Sequence, residues 1–568
     1  MIEEIIRNTT SICPECLQPI PAEIYVDANM GWVMMRKHCE EHGDFKDKIS
    51  VSPEEYKWNQ SFTNEIGSTI DNSSKPSEVS SSIRKITNGC PYDCGICENH
   101  QSAPCIAVID PTNRCNLTCP ICYANASAKG YVVEPTFDEI VQILKHFRSI
   151  KPVPPILLQY AGGEPTLRND LHDITRKAKE LGFIEVMVST NGVRMSKSVE
   201  YCRELMESGI DAIYLQFDAT NAPEVWKKMR GVNLWPIKQR VIKNCRAIGF
   251  KGIMLVPTIA KGVNDNQIEN ILEFAKQNND VVAGVVFQPV SLCGRINYEE
   301  LMELRYTSSD LKIAINKITN NAIEKFYPIA TSAKFTRLLA WFDDVPSFSM
   351  TTHPDCGFGT IVIIDDNNEW KALENYFNAE GLVIWANQVW DMVRNREIPK
   401  PTSFLKDINL ENYGGVVSTI GEFIDDMTNL GYRQIMKAYF FAGALKYIKN
   451  PSQILTSKIF QSFVKLILSP NLNSASNFLL SKNLLISCMH FQDAYNFDLD
   501  RVKNCIVHYG VIDPDDPSKV LQIPFCTMNT LHREKLELRH KLANQSTIKP
   551  EIIQNKIETY IKSIEKEI

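Results

Sequence analysis

Between Ile106 and about Val290 the chain alternates short apolar runs with longer stretches whose apolar residues recur at helical spacing. The runs Ile106–Asp110, Ile156–Ala161, Glu185–Ser189, Ala212–Phe217, Gly252–Pro257 and Gly284–Pro289 predict six β-strands. Between the first two, Phe137, Ile140, Val141, Leu144 and Phe147 mark one helical face, and Thr136 with Glu139 forms its capping-box signature. Leu181-Gly182, Ser208-Gly209 and Ile248-Gly249 supply helix stops just before strands. Repeated β-α units of this kind predict an α/β fold with a parallel sheet and right-handed crossovers. Six units make an open, partial (βα)6 barrel, whose chemistry belongs at the C-terminal ends of the strands.

The flanks are patterned differently. Residues 1–66 predict a small metal-binding unit, and 67–105 a polar, Ser-rich linker followed by a cysteine segment. The barrel is expected over 106–300. Residues 301–540 read as a mainly helical C-terminal domain with one strand at Thr360–Ile364. Within it, 417–486 is rich in large apolar side chains such as Met436, Tyr439, Phe440, Phe441, Ile459 and Phe463, suiting either a plain core or a hydrocarbon groove. The tail, 541–568, reads as a charged, solvated helix.

The 568 residues carry a net charge of −6, which gives no global field for nucleic acid. No secretion signal is read at Met1-Ile-Glu-Glu and no apolar run is long enough to span a bilayer. A cytoplasmic protein is therefore expected. Seventeen cysteines are many, and they fall in short C-x2-C and C-x3-C-x2-C groups. That spacing points to metal ligation rather than a disulfide framework.

Cys13, Cys16, Cys39 and His42 offer three sulfurs and one nitrogen, a set that suits zinc or one iron. The alternative leaves His42 as a turn residue. Cys90, Cys94 and Cys97, with Cys105 eight residues on, are sufficient for a complete four-iron cluster or a second structural metal. Cys115, Cys119 and Cys122 lie just beyond the first barrel strand and claim only three irons of a four-iron cube, leaving one open. Cys356, Cys488, Cys505 and Cys526 add four thiolates from a region otherwise poor in them. Cys202 and Cys245 sit on apolar helical stripes and read as small buried hydrophobes, and Cys293 is read without a metal.

The Cys115–Cys122 loop, with Tyr123 beside its last cysteine, resembles the radical S-adenosylmethionine (SAM) superfamily. The likeness extends to Ala161-Gly162-Gly163-Glu164-Pro165, similar to that superfamily's "GGEP" segment. It implies that Gly162, Gly163, Glu164, Thr190, Asn191, Gln216, Asp218 and Gln288, all at strand ends, meet SAM together with Tyr123. An electron carrier without SAM would have no need of them. The full series of cysteine groups, with Asn496-Phe-Asp-Leu-Asp-Arg-Val and Pro524-Phe-Cys, resembles the archaeal tetraether lipid synthase family. That resemblance implies three [4Fe-4S] clusters, one SAM-binding and two auxiliary, together with one mononuclear iron or zinc and a ferredoxin-like, low-potential electron donor. It implies carbon–carbon coupling of archaeal diether lipid chains, with peripheral contact at the membrane's inner face. Another lipid cross-link, or modification of a peptide or small cofactor, is the alternative reaction.

Overall fold

The structure, a computed structural model, describes residues 3–62, 88–93, 100–126, 131–151, 153–291, 293, 303–342, 350–365, 367–399, 431–449, 483–540 and 550–565. The linker read at 67–82, Cys94, Cys97 and most of 417–486 lie outside these residues.

Strands β1 (Glu4–Ile12), β2 (Pro19–Val26), β3 (Val33–Cys39) and β4 (Gly43–Ser50) form an antiparallel meander. Alternation buries Ala22, Ile24, Val33 and Met35 against Tyr56 of the helix Pro53–Gln60. So small a core needs outside support. A metal site at one end and ion pairs to the rest of the chain supply it. Arg305 is buried between Asp47 of β4 (2.7 Å) and Asp493 (2.8 Å). Arg7 reaches Asp498 at 2.6 Å, and Lys37 donates to the carbonyl of Ala494 at 2.7 Å.

Removing one partner of a buried pair strands the other charge. Arg305→Ala leaves two buried carboxylates facing each other and is expected to cost about 3–5 kcal/mol in urea unfolding. Asp498 gives the acid signature. Burial opposes its charge, but Arg7 and the Thr9 hydroxyl outweigh burial and hold its carboxyl at about 2. A carboxyl depressed in the fold stabilises above its unfolded value of about 4. That contribution should fade as pH falls from about 4 through about 2, and Asp498→Asn should flatten the acid limb of a pH–stability curve.

The second sheet carries the six expected strands within a residue or two: β5 (Ile106–Ile109), β6 (Leu157–Tyr160), β7 (Glu185–Thr190), β8 (Ala212–Gln216), β9 (Ile253–Val256) and, after the short β10 (Thr258–Ile259), β11 (Val282–Pro289). They pair in parallel, in the order β5-β6-β7-β8-β9-β11. The helices between them pack into one core, with Ile140, Leu144 and Phe147 on the expected face and the capping box at Thr136 formed.

The C-terminal region, read as mainly helical, also feeds this sheet. It adds β12 (Tyr327–Pro328), β13 (Gly357–Ile364), β14 (Trp370–Ala372), β15 (Asn483–Met489), β16 (Val507–Ile512) and β17 (Val520–Pro524). β15 lies parallel to β11 at one end of the row, and β16 parallel to β5 at the other. Helices Ser332–Phe342, Ala379–Asn395 and Tyr432–Ala444 build a separate aromatic-rich core beside it.

Candidate active site and metal centres

The N-terminal site is compact. The ligand atoms of Cys13, Cys16, Cys39 and His42 all lie within 4.8 Å of one another. Cys16 and Cys39 sulfurs are 3.9 Å apart, and the His42 Nδ1 lies 3.5 Å from Cys39 and 3.7 Å from Cys13. A tetrahedron with metal–sulfur bonds of about 2.3 Å has edges of roughly 3.8 Å, so these residues fit one tetrahedral ion. His42 belongs to the set and is not a bare turn residue.

At the barrel mouth, the Cys115–Cys122 loop is fastened by backbone contacts to the end of β6. Gly163 N–H donates to the Thr112 carbonyl (2.9 Å) and Glu164 N–H to the Arg114 carbonyl (2.7 Å). A Cβ on Gly163 would stand 2.1 Å from the Arg114 oxygen, and Gly162 has a φ of +94° that favours glycine. The two glycines are therefore what lets the strand end press against the cysteine loop.

The strand-end acids do something other than present free carboxylates. Glu164 is buried, and its oxygens accept from Thr166 Oγ1 (2.6 Å), Thr190 Oγ1 (2.7 Å) and the Asn191 N–H (2.8 Å). Burial raises its pKa, and these donors pull it back. It ties the ends of β6 and β7 together. Asp218 is likewise consumed, pairing with Arg230 at 2.5 and 2.9 Å, with the Thr258 N–H (3.0 Å) and with Gln216.

Arg230 turns that pair into a clamp, since it also donates to the carbonyl of Ile121 inside the loop (2.9 Å) and hydrogen-bonds Cys119. Asn191 reaches Asn116 of the loop at 2.7 Å. Lys238, fully buried, donates to the Asn191 carbonyl (2.6 Å) and to Gln216 (3.0 Å). Gln288 is paired through its backbone to Pro257. Cys115, Cys119 and Cys122 are half-buried, and burial raises the thiol of Cys115 well above its ordinary range. Cluster iron would have to supply the charge that keeps them as thiolates.

Sequence reasoning missed two residues of this set, and only one of them breaks a pattern. Lys238 falls among Leu234, Ile237, Val241 and Cys245, an otherwise apolar helical stripe. Arg230 gave no signal of its own. The tail corrects an expectation: Ile557, Ile561 and Ile564, spaced for one helical face, pack on Leu117, Trp226 and Ile237 beside Cys115 and Cys119. The tail is thus a cover over the loop rather than a solvated helix.

Tyr123 joins a cluster of rings. It stacks towards Phe491 (6.4 Å between centroids) and Phe525 (6.0 Å), and its hydroxyl lies 3.5 Å from that of Tyr509. Beyond Phe525 lies Cys526. Cys356, Cys505 and Cys526 are half-buried and within electrostatic reach of one another, drawn from both ends of the long sheet. Cys488 is not with them. Alternation along β15 puts it on the face of Leu484 and Ile486, in the main core, with Ser308 and Lys312 as its polar neighbours. Cys105, grouped with Cys90 by spacing, has Cys505 beside it. Cys90 packs near Ile12, Leu17 and Phe497. Cys202 and Cys245 are core residues as expected, in contact with each other. Cys293 hydrogen-bonds the Gln492 carbonyl at 3.5 Å, whose own N–H points to Cys526 at 3.4 Å.

Among the described residues no helix is long and apolar enough to cross a membrane. The Radical SAM superfamily matches residues 109–275, and the HMPTM N-terminal zinc ribbon domain matches residues 5–51. The chain is 36% identical over 534 residues to 7,8-dihydro-6-hydroxymethylpterin dimethyltransferase of Methanocaldococcus jannaschii, covering 94% of this chain and 95% of that one. It is 32% identical over 186 residues to GTP 3',8-cyclase of Limosilactobacillus fermentum, a match that covers 32% of this chain and 54% of the cyclase. Among solved structures, Streptococcus suis SuiB bound to S-adenosylmethionine is similar at a TM-score of 0.32 and 21% identity, over 39% of this chain and 48% of that one. The chain is therefore a radical SAM enzyme, and it belongs to the family of the Methanocaldococcus jannaschii 7,8-dihydro-6-hydroxymethylpterin dimethyltransferase.

Proposed function

We propose that this enzyme transfers methyl groups to a small reduced pterin. The observation that carries the reading is the 36% identity to a pterin dimethyltransferase along nearly the whole of both chains. This replaces diether lipid coupling as the leading reaction and takes up the cofactor-modifying alternative. A four-iron cluster with SAM, when bound, supplies a 5′-deoxyadenosyl radical able to take hydrogen from carbon; the methionine released keeps its methyl, so the methyl transferred comes from a second donor molecule, such as another SAM.

The chain's own residues hold and shield. Cys115, Cys119 and Cys122 would ligate the SAM-binding cluster, with Arg230 and Asn191 fixing their loop. Gly162 and Gly163 let the loop approach, while Glu164, Thr190, Gln216, Asp218 and Gln288 shape the strand ends around SAM. Tyr123, Phe491 and Phe525 offer half-buried ring faces on which a flat bicycle can stack. Cys356, Cys505 and Cys526 would hold an auxiliary cluster, and Cys90 with Cys94 and Cys97 another; Cys105 stands by Cys505 as a fourth thiolate for either. The ribbon set would hold zinc. A radical SAM enzyme needs a reductant, and a ferredoxin-like donor suits that role.

Diether lipid coupling stays as a second reading for one reason. The helical layer leaves Trp341, Trp385, Trp390, Tyr439 and Phe441 only partly buried, an apolar surplus that could take hydrocarbon. Anaerobic enzyme with SAM and a strong reductant, offered 7,8-dihydro-6-hydroxymethylpterin or archaeal diether lipid, separates the two by mass spectrometry. Methylated pterin with unchanged lipid is the expected result; coupled lipid with unchanged pterin would overturn it.

A further inference from the structure

The segment Asn496–Arg501 sends two charges in opposite directions. Asp498 faces the ribbon, bound by Arg7 and Thr9. Arg501 turns inward to Cys356 and Cys526, hydrogen-bonding the former, and is only 4% exposed. One guanidinium nitrogen donates to the carbonyl of His490, while Nε is buried with no hydrogen-bond partner among the described residues. Asp355, an acid whose charge acts on it, is occupied by Tyr56 (3.1 Å), Gln60 (2.7 Å) and Arg7 (3.6 Å). A buried guanidinium with an unused donor and no carboxylate of its own is costly. Neutral thiols cannot offset it. Thiolates and sulfides of an iron–sulfur cluster can, because their negative charge accepts N–H donors at the sulfurs.

We propose that Arg501 is a positioning residue for the cluster at Cys356, Cys505 and Cys526: it donates to the sulfurs and raises the reduction potential. The inference rests on the reading that these three cysteines hold a cluster. Reduction places one electron on the cluster and moves no proton, so the fixed cation favours the reduced state. The same contact explains why the Asn496-Phe-Asp-Leu-Asp-Arg-Val segment carries an arginine that hydrogen-bonds no acid among the described residues.

The test is an EPR-monitored redox titration of full-length, anaerobically reconstituted protein as wild type, Cys505→Ala, Arg501→Gln and Arg501→Lys, with iron counted in each. The signal lost in Cys505→Ala belongs to this site. Arg501→Gln should keep that signal, yet at the wild-type midpoint its ratio of reduced to oxidised cluster should fall about tenfold, ~59 mV for a one-electron couple. Arg501→Lys, which keeps the charge but not the planar fork, should fall between. Equal midpoints in wild type and Arg501→Gln overturn the proposal. If Arg501→Gln loses its iron, an unshifted midpoint in Arg501→Lys overturns it instead. A wild type with no Cys505-dependent signal removes the cluster reading itself, and the proposal with it.

Discussion

Replacing Cys115, Cys119 and Cys122 together with alanine is expected to abolish 5′-deoxyadenosine formation, the largest single effect available in this chain. The three sulfurs share one loop, with Cys115 and Cys119 packed against the same cluster of apolar side chains. About four irons per chain should be lost with them. The ribbon metal should remain, because Cys13, Cys16, Cys39 and His42 bring their ligand atoms together at a site of their own. The measurement is metal analysis paired with chromatography of SAM products. Undiminished SAM cleavage would mean that another cysteine set does the work.

The second large effect is expected from a single methyl group. In Gly163→Ala the three atoms nearest the new Cβ are all backbone: the Arg114 oxygen at 2.1 Å, the Arg114 carbon at 2.6 Å and the Asn113 carbon at 2.8 Å. Backbone cannot swing aside as a side chain would, so the cysteine loop or the end of β6 must shift. A displacement near 1 Å at reacting groups costs about 100-fold in rate, and a loss of that size is predicted for SAM cleavage. Gly359→Ala is the control, since its nearest atom stands at 3.8 Å, and it should turn over normally. Circular dichroism of both variants should match wild type. Equal turnover in both would show that the loop has slack to spare.

These two effects lie where the sequence spoke most plainly. The six barrel strands were legible because each carries its own punctuation, an apolar run after a helix stop such as Leu181-Gly182 or Ser208-Gly209. β15 and β16 were not, because their partners β11 and β5 lie far away in the chain and local periodicity holds no record of them. Misreading Cys488 follows from the same gap: without the strand, the alternation that turns it into the core could not be counted. The charged clamps were also hidden. Arg230, Lys238, Arg305 and Arg501 each act through a contact with a residue remote in sequence, and only Lys238 interrupts an apolar stripe that would betray it. Glu164 and Asp218 were found as site residues by their place at strand ends, but their hydrogen bonds make them ties within the site rather than open ligands. The Ile557, Ile561 and Ile564 face of the tail was readable from spacing; its charge content masked it.

Methylation of a reduced pterin, driven by the Cys115 loop, is what the proposed function requires. Its most direct measurement is paired quantitation of 5′-deoxyadenosine and modified pterin in one anaerobic reaction with SAM, reductant and 7,8-dihydro-6-hydroxymethylpterin. Both products are expected to rise together, neither should form in the triple cysteine variant, and omitting the pterin should depress 5′-deoxyadenosine. SAM cleavage at an undiminished rate without pterin, and no methylated pterin with it, would contradict the account.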